Sequence, residues 1–282
     1  MRIQFFYPRW GSEDIDWEHF CQKVKQAGYD GVEAPVPESH DEQKVILKAL
    51  KNNDLKLIGQ YYQSFEKDFE KHKFNYAREL HVLASAQPVK INAQTGKDYF
   101  SFEQNAELFA IANRITQETG ITICHETHRN KALFAAHITY DFLKKLPELK
   151  ITADFSHWCN VAESLLEDQE EALALACKQV GHLHSRVGHS QSAQVIDPRL
   201  PEFKNELEAH LKWWDAIVKD YQDNKDEALT ITTEFGPAPY MVHLPFTNKP
   251  IASQWDINIH MMHLLKERYC KKKMLFISFK NI

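Results

Sequence analysis

Short apolar, β-prone runs alternate with longer amphipathic stretches from one end of the chain to the other. Runs at 3–7, 31–35, 57–61, 89–93, 121–125, 151–154, 181–185 and 229–234 have the length and composition of strands. Helical patterning fills the intervals at 17–27, 43–52, 68–85, 102–118, 132–146, 162–178, 203–220 and 255–269. Eight strands, each followed by a helix, predict a single α/β domain, a closed parallel (βα)8 barrel over residues 1–270. An open doubly wound sheet also alternates, but it needs a glycine-rich phosphate turn after its first strand. The segment there, YPRWGSED, has one glycine. No linker rich in Gly, Ser or Pro divides the chain. The longest irregular stretch, 188–201, follows the seventh strand and is expected to cover the site with His189, Gln191, Asp197 and Arg199. Residues 271–282 (KKKMLFISFKNI) read as a tail appended outside the barrel, with contact to a partner or a membrane surface as the alternative.

Catalytic groups of such barrels come from the C-terminal ends of the strands. Side-chain alternation decides which residues there share a face. In the fifth strand Thr122, Cys124 and Glu126 lie together, and in the sixth Thr152 and Asp154. In the seventh, His182, His184 and Arg186 oppose Leu183; in the eighth, Thr230, Thr232 and Glu234 oppose Leu229 and Ile231. The apolar faces suit the helix layer and the polar faces the barrel axis. Four consecutive strands thus send Glu126, Asp154, His184 and Glu234 toward one point. His182 competes with His184 but lies one layer deeper, and the residue nearer the strand end is preferred. Asp154 could instead cap the next segment, and Glu234 could sit in a lone ion pair.

Composition narrows the setting. With 282 residues and 43% apolar content, the chain can bury a large core without staples. Its five cysteines are odd in number and scattered, as expected of free thiols in a reducing compartment. A net charge of −5 gives no basic footprint for nucleic acid. No signal-like segment opens the sequence, and no apolar run reaches the ~18 residues of a membrane span. The expectation is therefore a cytoplasmic protein with no nucleic-acid or membrane partner; whether it forms a homo-oligomer is open.

An oxygen-rich Glu, Asp, His, Glu set without a thiolate suits one divalent ion in roughly octahedral geometry. Mn²⁺ is the expected ion, with Mg²⁺, Co²⁺ or Zn²⁺ as alternatives. Such an ion chelated by a hydroxyl and its neighbouring carbonyl acidifies the carbon-bound hydrogen between them. Glu126 and Glu234 are then the pair that removes and returns the proton. HETH at 125–128 is not a zinc-protease signature, which needs HExxH on a helix.

The segments HETHRN, DFSHW, HLHSRVGH and TTEFGP resemble those of the sugar phosphate isomerase/epimerase family, the xylose isomerase-like TIM barrels. The resemblance runs to about Tyr269. It implies a divalent metal on Glu126, Asp154, His184 and Glu234, with the two glutamates as acid and base. It also implies a small carbohydrate substrate contacted by His157 of the DxxH pattern and by a basic residue after the seventh strand, here Arg186. The family's additional substrate-binding glutamate has no counterpart, since Ala132 stands at its place, and Arg129 is the candidate for that region. His157 may only pack against Trp158, and Arg129, Arg186 and Arg199 could be surface ion pairs. The activity expected is a metal-dependent isomerase or epimerase of a sugar, keto-sugar or sugar phosphate. A dehydratase working through the same enolate is the alternative. A nuclease of the endonuclease IV type needs histidines at the third and fourth strand ends, where this chain offers Gln60 and Asn92.

Overall fold

The computed structural model describes residues 2–225 and 227–270; the tail at 271–282 lies outside the described residues. Eight parallel strands close into one barrel in sequence order: β1 (Ile3–Pro8), β2 (Gly31–Ala34), β3 (Lys56–Tyr61), β4 (Lys90–Ala93), β5 (Ile123–Glu126), β6 (Ile151–Ala153), β7 (Val180–His184) and β8 (Leu229–Thr232). The outer layer is built from α1 (Trp17–Gln26), α2 (His40–Asn52), α3 (Phe69–Ser85), α4 (Phe102–Thr119), α5 (Ala136–Lys145), α6 (Phe155–Ala162), α7 (Glu170–Lys178), α8 (Lys204–Asn224) and α9 (Gln254–Cys270). The (βα)8 expectation holds, with small shifts at element ends. Helix starts follow local chemistry. Asp16, Ser39 and Asp68 accept backbone N–H groups at the heads of α1, α2 and α3, and Ser101 with Gln104 forms a full capping box on α4.

Two regions depart from the sequence pattern. The helix expected over 162–178 is shorter, α7 beginning only at Glu170, and an unexpected helix precedes it: α6 begins directly after Asp154 and stops where Glu163 turns left-handed (φ 50°). The α6 sequence, FSHWCNVA, is buried along its whole first turn and a half, so it lacks the polar face that marks a surface helix. Between β8 and α9 the chain inserts a small antiparallel hairpin, β9 (His243–Leu244) with β10 (Lys249–Pro250).

Strand register sets the depth of each inward side chain. Glu126 lies opposite Thr152, Thr152 opposite His182, and His182 opposite Thr230; one step higher, His184 faces Thr232. Glu126 therefore starts a layer below Asp154, a consequence of the barrel's stagger. The apolar side chains between strands and helices, among them Phe5, Val32, Leu57, Ile91, Ile123, Ile151, Leu183 and Ile231, form one continuous core. The five cysteines are free, four of them buried. Among the described residues, no helix is long and apolar enough to cross a membrane.

Candidate metal centre

Glu126 ends β5, Asp154 follows β6, His184 ends β7 and Glu234 follows β8, and one ligand atom of each lies within 4.8 Å of all the others. All four side chains are buried. Asp154 occupies the N-cap position of α6 but makes no capping bond. Its carboxylate instead takes Arg186 Nη2 on Oδ2 (2.5 Å) and the Ser156 hydroxyl on Oδ1.

The neighbourhood of His184 explains which of its nitrogens is available. Nε2 lies 3.1 Å from both oxygens of Glu33, a buried carboxylate at the end of β2. Glu33 also accepts from Asn92 Nδ2 (2.9 Å), His182 Nε2 (3.1 Å) and Thr232 Oγ1 (2.5 Å). A carboxylate ringed by donors fixes the His184 proton on Nε2 and leaves Nδ1 as the lone pair, the arrangement that orients metal-binding histidines. Nδ1 lies 2.7 Å from Glu234 Oε2 and 3.8 Å from Asp154 Oδ2. His184 Nδ1 and Glu234 Oε2 are both buried and neither makes a well-aligned hydrogen bond; Arg186 Nη1 also lies near Glu234 Oε2, at 3.7 Å. With the imidazole neutral and its proton on Nε2, these are two buried acceptors facing common ground, which fits a shared cation. This buried group of carboxylates and imidazole can bind a metal ion.

The electrostatics agree. Burial and the nearby Glu234 carboxylate push Glu126 up to about 8, and burial likewise raises Glu234. Burial alone would lower the His184 imidazole; the Glu234 and Glu33 carboxylates outweigh it and hold its pKa well above the ordinary value. Asp154 goes the other way: Arg186 overcomes the effect of burial and keeps it well below the usual carboxylate range. Glu33 is held low despite complete burial, chiefly by His184. Without a cation the cluster holds protons, and a divalent ion can displace them.

Two other triads of potential ligands exist among the described residues. Glu33, His182 and His184 satisfy one another, with His182 Nδ1 closed by Thr230 (2.8 Å), so this group supports rather than binds. In Glu126, His128 and His157, Arg186 Nη2 donates to His157 Nε2 (2.6 Å), which puts the His157 proton on Nδ1 and leaves that ring no lone pair for a cation.

The carboxylates open onto a cavity of about 730 Å³ lined by Trp10, Gln60, Tyr62, Phe65, Gln94, Glu126, His128, Arg186, Glu234 and Tyr240, among others. Gln60 Nε2 donates to Glu234 Oε1 (3.4 Å), and Gln94 Nε2 to Glu126 Oε1 (3.3 Å). Tyr240 lies under two guanidinium groups, Arg129 and Arg186, at 5.0 and 4.9 Å. Trp10 crosses Tyr240 edge-on at 5.2 Å and fits only because residue 236 is glycine; a Cβ there would lie 2.1 Å from the indole.

Of the remaining residues singled out in the sequence, Arg186 is buried and lines the cavity. His157 is sealed behind His128, ring centres 3.8 Å apart, and is held by Arg186. Arg129 is half-buried and donates to Asn160 (3.3 Å). Arg199 turns away to Asp197. The stretch at 188–201 does not line the cavity: Val195 is buried, and Gln194 exchanges two bonds with Gly236, fixing the turn after Glu234. It lies beside the site instead of over it, because its apolar residues complete the core. Sequence reasoning missed Glu33 and Tyr240. An inward carboxylate in the apolar strand GVEA was the available signal for the first; nothing local marked the second.

No model of a known protein family matches the sequence, and no curated protein does. Solved structures do match. A xylose isomerase-like TIM barrel protein from Mycobacterium smegmatis, in complex with magnesium, is 11% identical over 94% of this chain and 97% of its own, with a TM-score of 0.62. A D-allulose 3-epimerase from Methylomonas sp. with bound D-allulose gives 13%, 95%, 98% and 0.61 in the same order. A probable 3-DHS dehydratase from Bacillus anthracis gives 18%, 95%, 100% and 0.55, and a family 2 AP endonuclease from Brucella melitensis gives 13%, 84%, 94% and 0.53. One architecture hosts several chemistries here, so the activity has to be argued from the site. Over nearly its whole length, the chain has the fold of the xylose isomerase-like TIM barrels.

Proposed function

We propose that the chain is a divalent-metal-dependent isomerase or epimerase acting on a sugar, keto-sugar or sugar phosphate. The observation that carries this reading is the convergence of Glu126, Asp154, His184 and Glu234, with His184 Nδ1 and Glu234 Oε2 buried, 2.7 Å apart and without a well-aligned hydrogen bond. Glu126, Asp154, His184 and Glu234 would hold the ion, Mn²⁺ by the chemistry of the donors, and it would supply polarisation of a substrate carbonyl and its neighbouring hydroxyl. Glu126 and Glu234 remove and return the proton on the carbon between them, each steadied by a carboxamide, Gln94 or Gln60. A raised carboxyl pKa brings Glu126 close to neutrality, where acid and base roles are both accessible. Tyr240 and Trp10 offer an aromatic wall to the apolar face of a sugar ring. Arg186 holds Asp154 in place, and His157 braces Arg186.

One observation favours a dehydratase as the second reading. His128 lines the cavity, its Nδ1 donates to the Arg129 carbonyl (2.6 Å), and its Nε2 has no partner among the described residues. Burial lowers this imidazole's pKa to about 3, so it would serve as the base, leaving the protonated Glu126 as the acid that a departing β-hydroxyl requires. A nuclease is disfavoured, because the inward residues of β3 and β4 are the carboxamides Gln60 and Asn92, which bond to Glu234 and to Glu33 and Glu126.

The test is exchange of a substrate C–H proton with deuterated solvent across ketoses, keto-acids and inososes, with and without Mn²⁺. Metal-dependent exchange with the carbon skeleton and all hydroxyls retained is the expected result. Exchange accompanied by loss of water selects the dehydratase, and no exchange with any member of the panel rejects both.

A further inference from the structure

We propose that Lys97, Lys131 and His72 form a subsite for a phosphate group behind Phe65, next to the cavity wall. The proposal rests on the carbohydrate reading of the cavity and sharpens it by making the substrate a phosphorylated one. Lys97 and Lys131 are 5% and 3% exposed, yet neither forms an ion pair within 4.0 Å among the described residues, and Asp98 acts on both from beyond that distance. Lys131 Nζ donates one long hydrogen bond, 3.4 Å to the Ser64 carbonyl. Burying an ammonium without a counter-charge is unfavourable, and burying two side by side is more so.

The backbone nonetheless fixes both lysines in place. Asn105 brackets Lys97 by accepting its N–H (3.3 Å) and donating to its carbonyl (2.9 Å). The loops after β3, β4 and β5 are tied to one another through Ser64 Oγ to Gly96 O (2.9 Å) and Ala132 N to Thr95 O (2.9 Å). His72, at the head of α3, packs on Phe100 with ring centres 5.1 Å apart, and Phe100 N bonds back to Lys97 O. Its Nδ1 faces the Glu66 carbonyl (3.0 Å), while Nε2 is buried with no partner among the described residues. Burial and then the two ammonium groups lower the pKa of this imidazole, and burial and then Lys97 bring Lys131 down to about 8. Asp98 and Glu126 act on Lys131 from farther off. Phe65 joins the cluster to the cavity: its ring lines the wall and lies 5.8 Å from Lys131 Nζ.

Two ammonium groups match the charge of a dianion better than that of a carboxylate. The His72 Nε2 can partner a phosphate in either protonation state, as donor when charged or as acceptor of the phosphate's own proton.

Binding of inorganic phosphate to the EDTA-treated full chain, by calorimetry, tests this apart from any turnover. The expected result is saturable binding that Lys97→Met and Lys131→Met each weaken about tenfold, that sulfate displaces and acetate does not. Exposed Lys51→Met serves as the control and leaves it unchanged, and melting curves confirm that each variant is folded. Equal binding in the lysine variants means an adventitious ion only and overturns the proposal. So does displacement by acetate as readily as by sulfate, or no binding at all. Proton exchange with metal restored, measured on the same samples, reports on the carbohydrate reading separately.

Discussion

The two halves of the barrel contribute different chemistry to the same cavity. Strands β5 to β8 deliver Glu126, Asp154, His184 and Glu234, groups that can bind a cation or carry a proton. Strands β2 to β4 deliver Glu33, Gln60 and Asn92, and the turn after β4 adds Gln94; these donate to or accept from the first group. In the proposed mechanism this second group sets tautomer and orientation, and the first supplies reactivity. Glu33 shows the principle most clearly, being a carboxylate whose oxygens are saturated by donors and which has no free lone pair facing the cavity.

The largest effects belong to the first half. Asp154→Asn and His184→Ala should each lose a metal bound at about one per chain while remaining folded, as elemental analysis would report. Glu126→Gln and Glu234→Gln should cost ~10²–10⁴ in solvent proton exchange, because the amide keeps an oxygen but cannot take the proton. Metal content has to be measured alongside, and near-normal turnover in a metal-loaded Gln variant would sink the paired-carboxylate mechanism.

Substitutions in the supporting half should be milder. Glu33→Gln frees the His184 tautomer, and metal affinity should fall about 10–100-fold with exchange partly recovered at saturating metal. Full retention of affinity would show that the two halves are not coupled in this way.

Metal removal should change the sign of the pH dependence near neutrality. The folded protein binds protons at Glu126, Glu234 and His184 more tightly than the unfolded chain does. The stability these groups add to the metal-free form is full below their unfolded values and is lost as pH rises toward about 8 and beyond. The lowered groups, Glu33 and Asp154, change only in acid, below their unfolded values. Melting temperature in EDTA should therefore fall from pH 6 to pH 9, and added Mn²⁺ should restore it most at the alkaline end. A flat profile in EDTA would count against a proton-holding cluster.

Least affected of all should be Arg199→Ala. Arg199 pairs with its own neighbour Asp197 beside the site, and turnover should stay within about twofold, as expected for an exposed ion pair worth ~0.2–1 kcal/mol.

Much of this was legible because strand alternation is a strict rule. Once 121–125, 151–154, 181–185 and 229–234 are taken as strands, the face carrying Glu126, Asp154, His184 and Glu234 follows without further information. Local pattern failed at α6, whose first five residues, FSHWC, are all buried, and at 188–201, where loop length suggested a cover but apolar side chains seat the chain in the core.

The sequence by itself determined the alternating architecture and the identity of the inward polar residues, because both depend on period and local propensity. Only the tertiary structure decided that Glu33 reaches His184 across the barrel, that Arg186 engages Asp154, and that Trp10 crosses Tyr240 through the space left by Gly236. These contacts join residues far apart in the chain, and they depend on barrel stagger and loop packing, for which no local pattern in the sequence carries a signal.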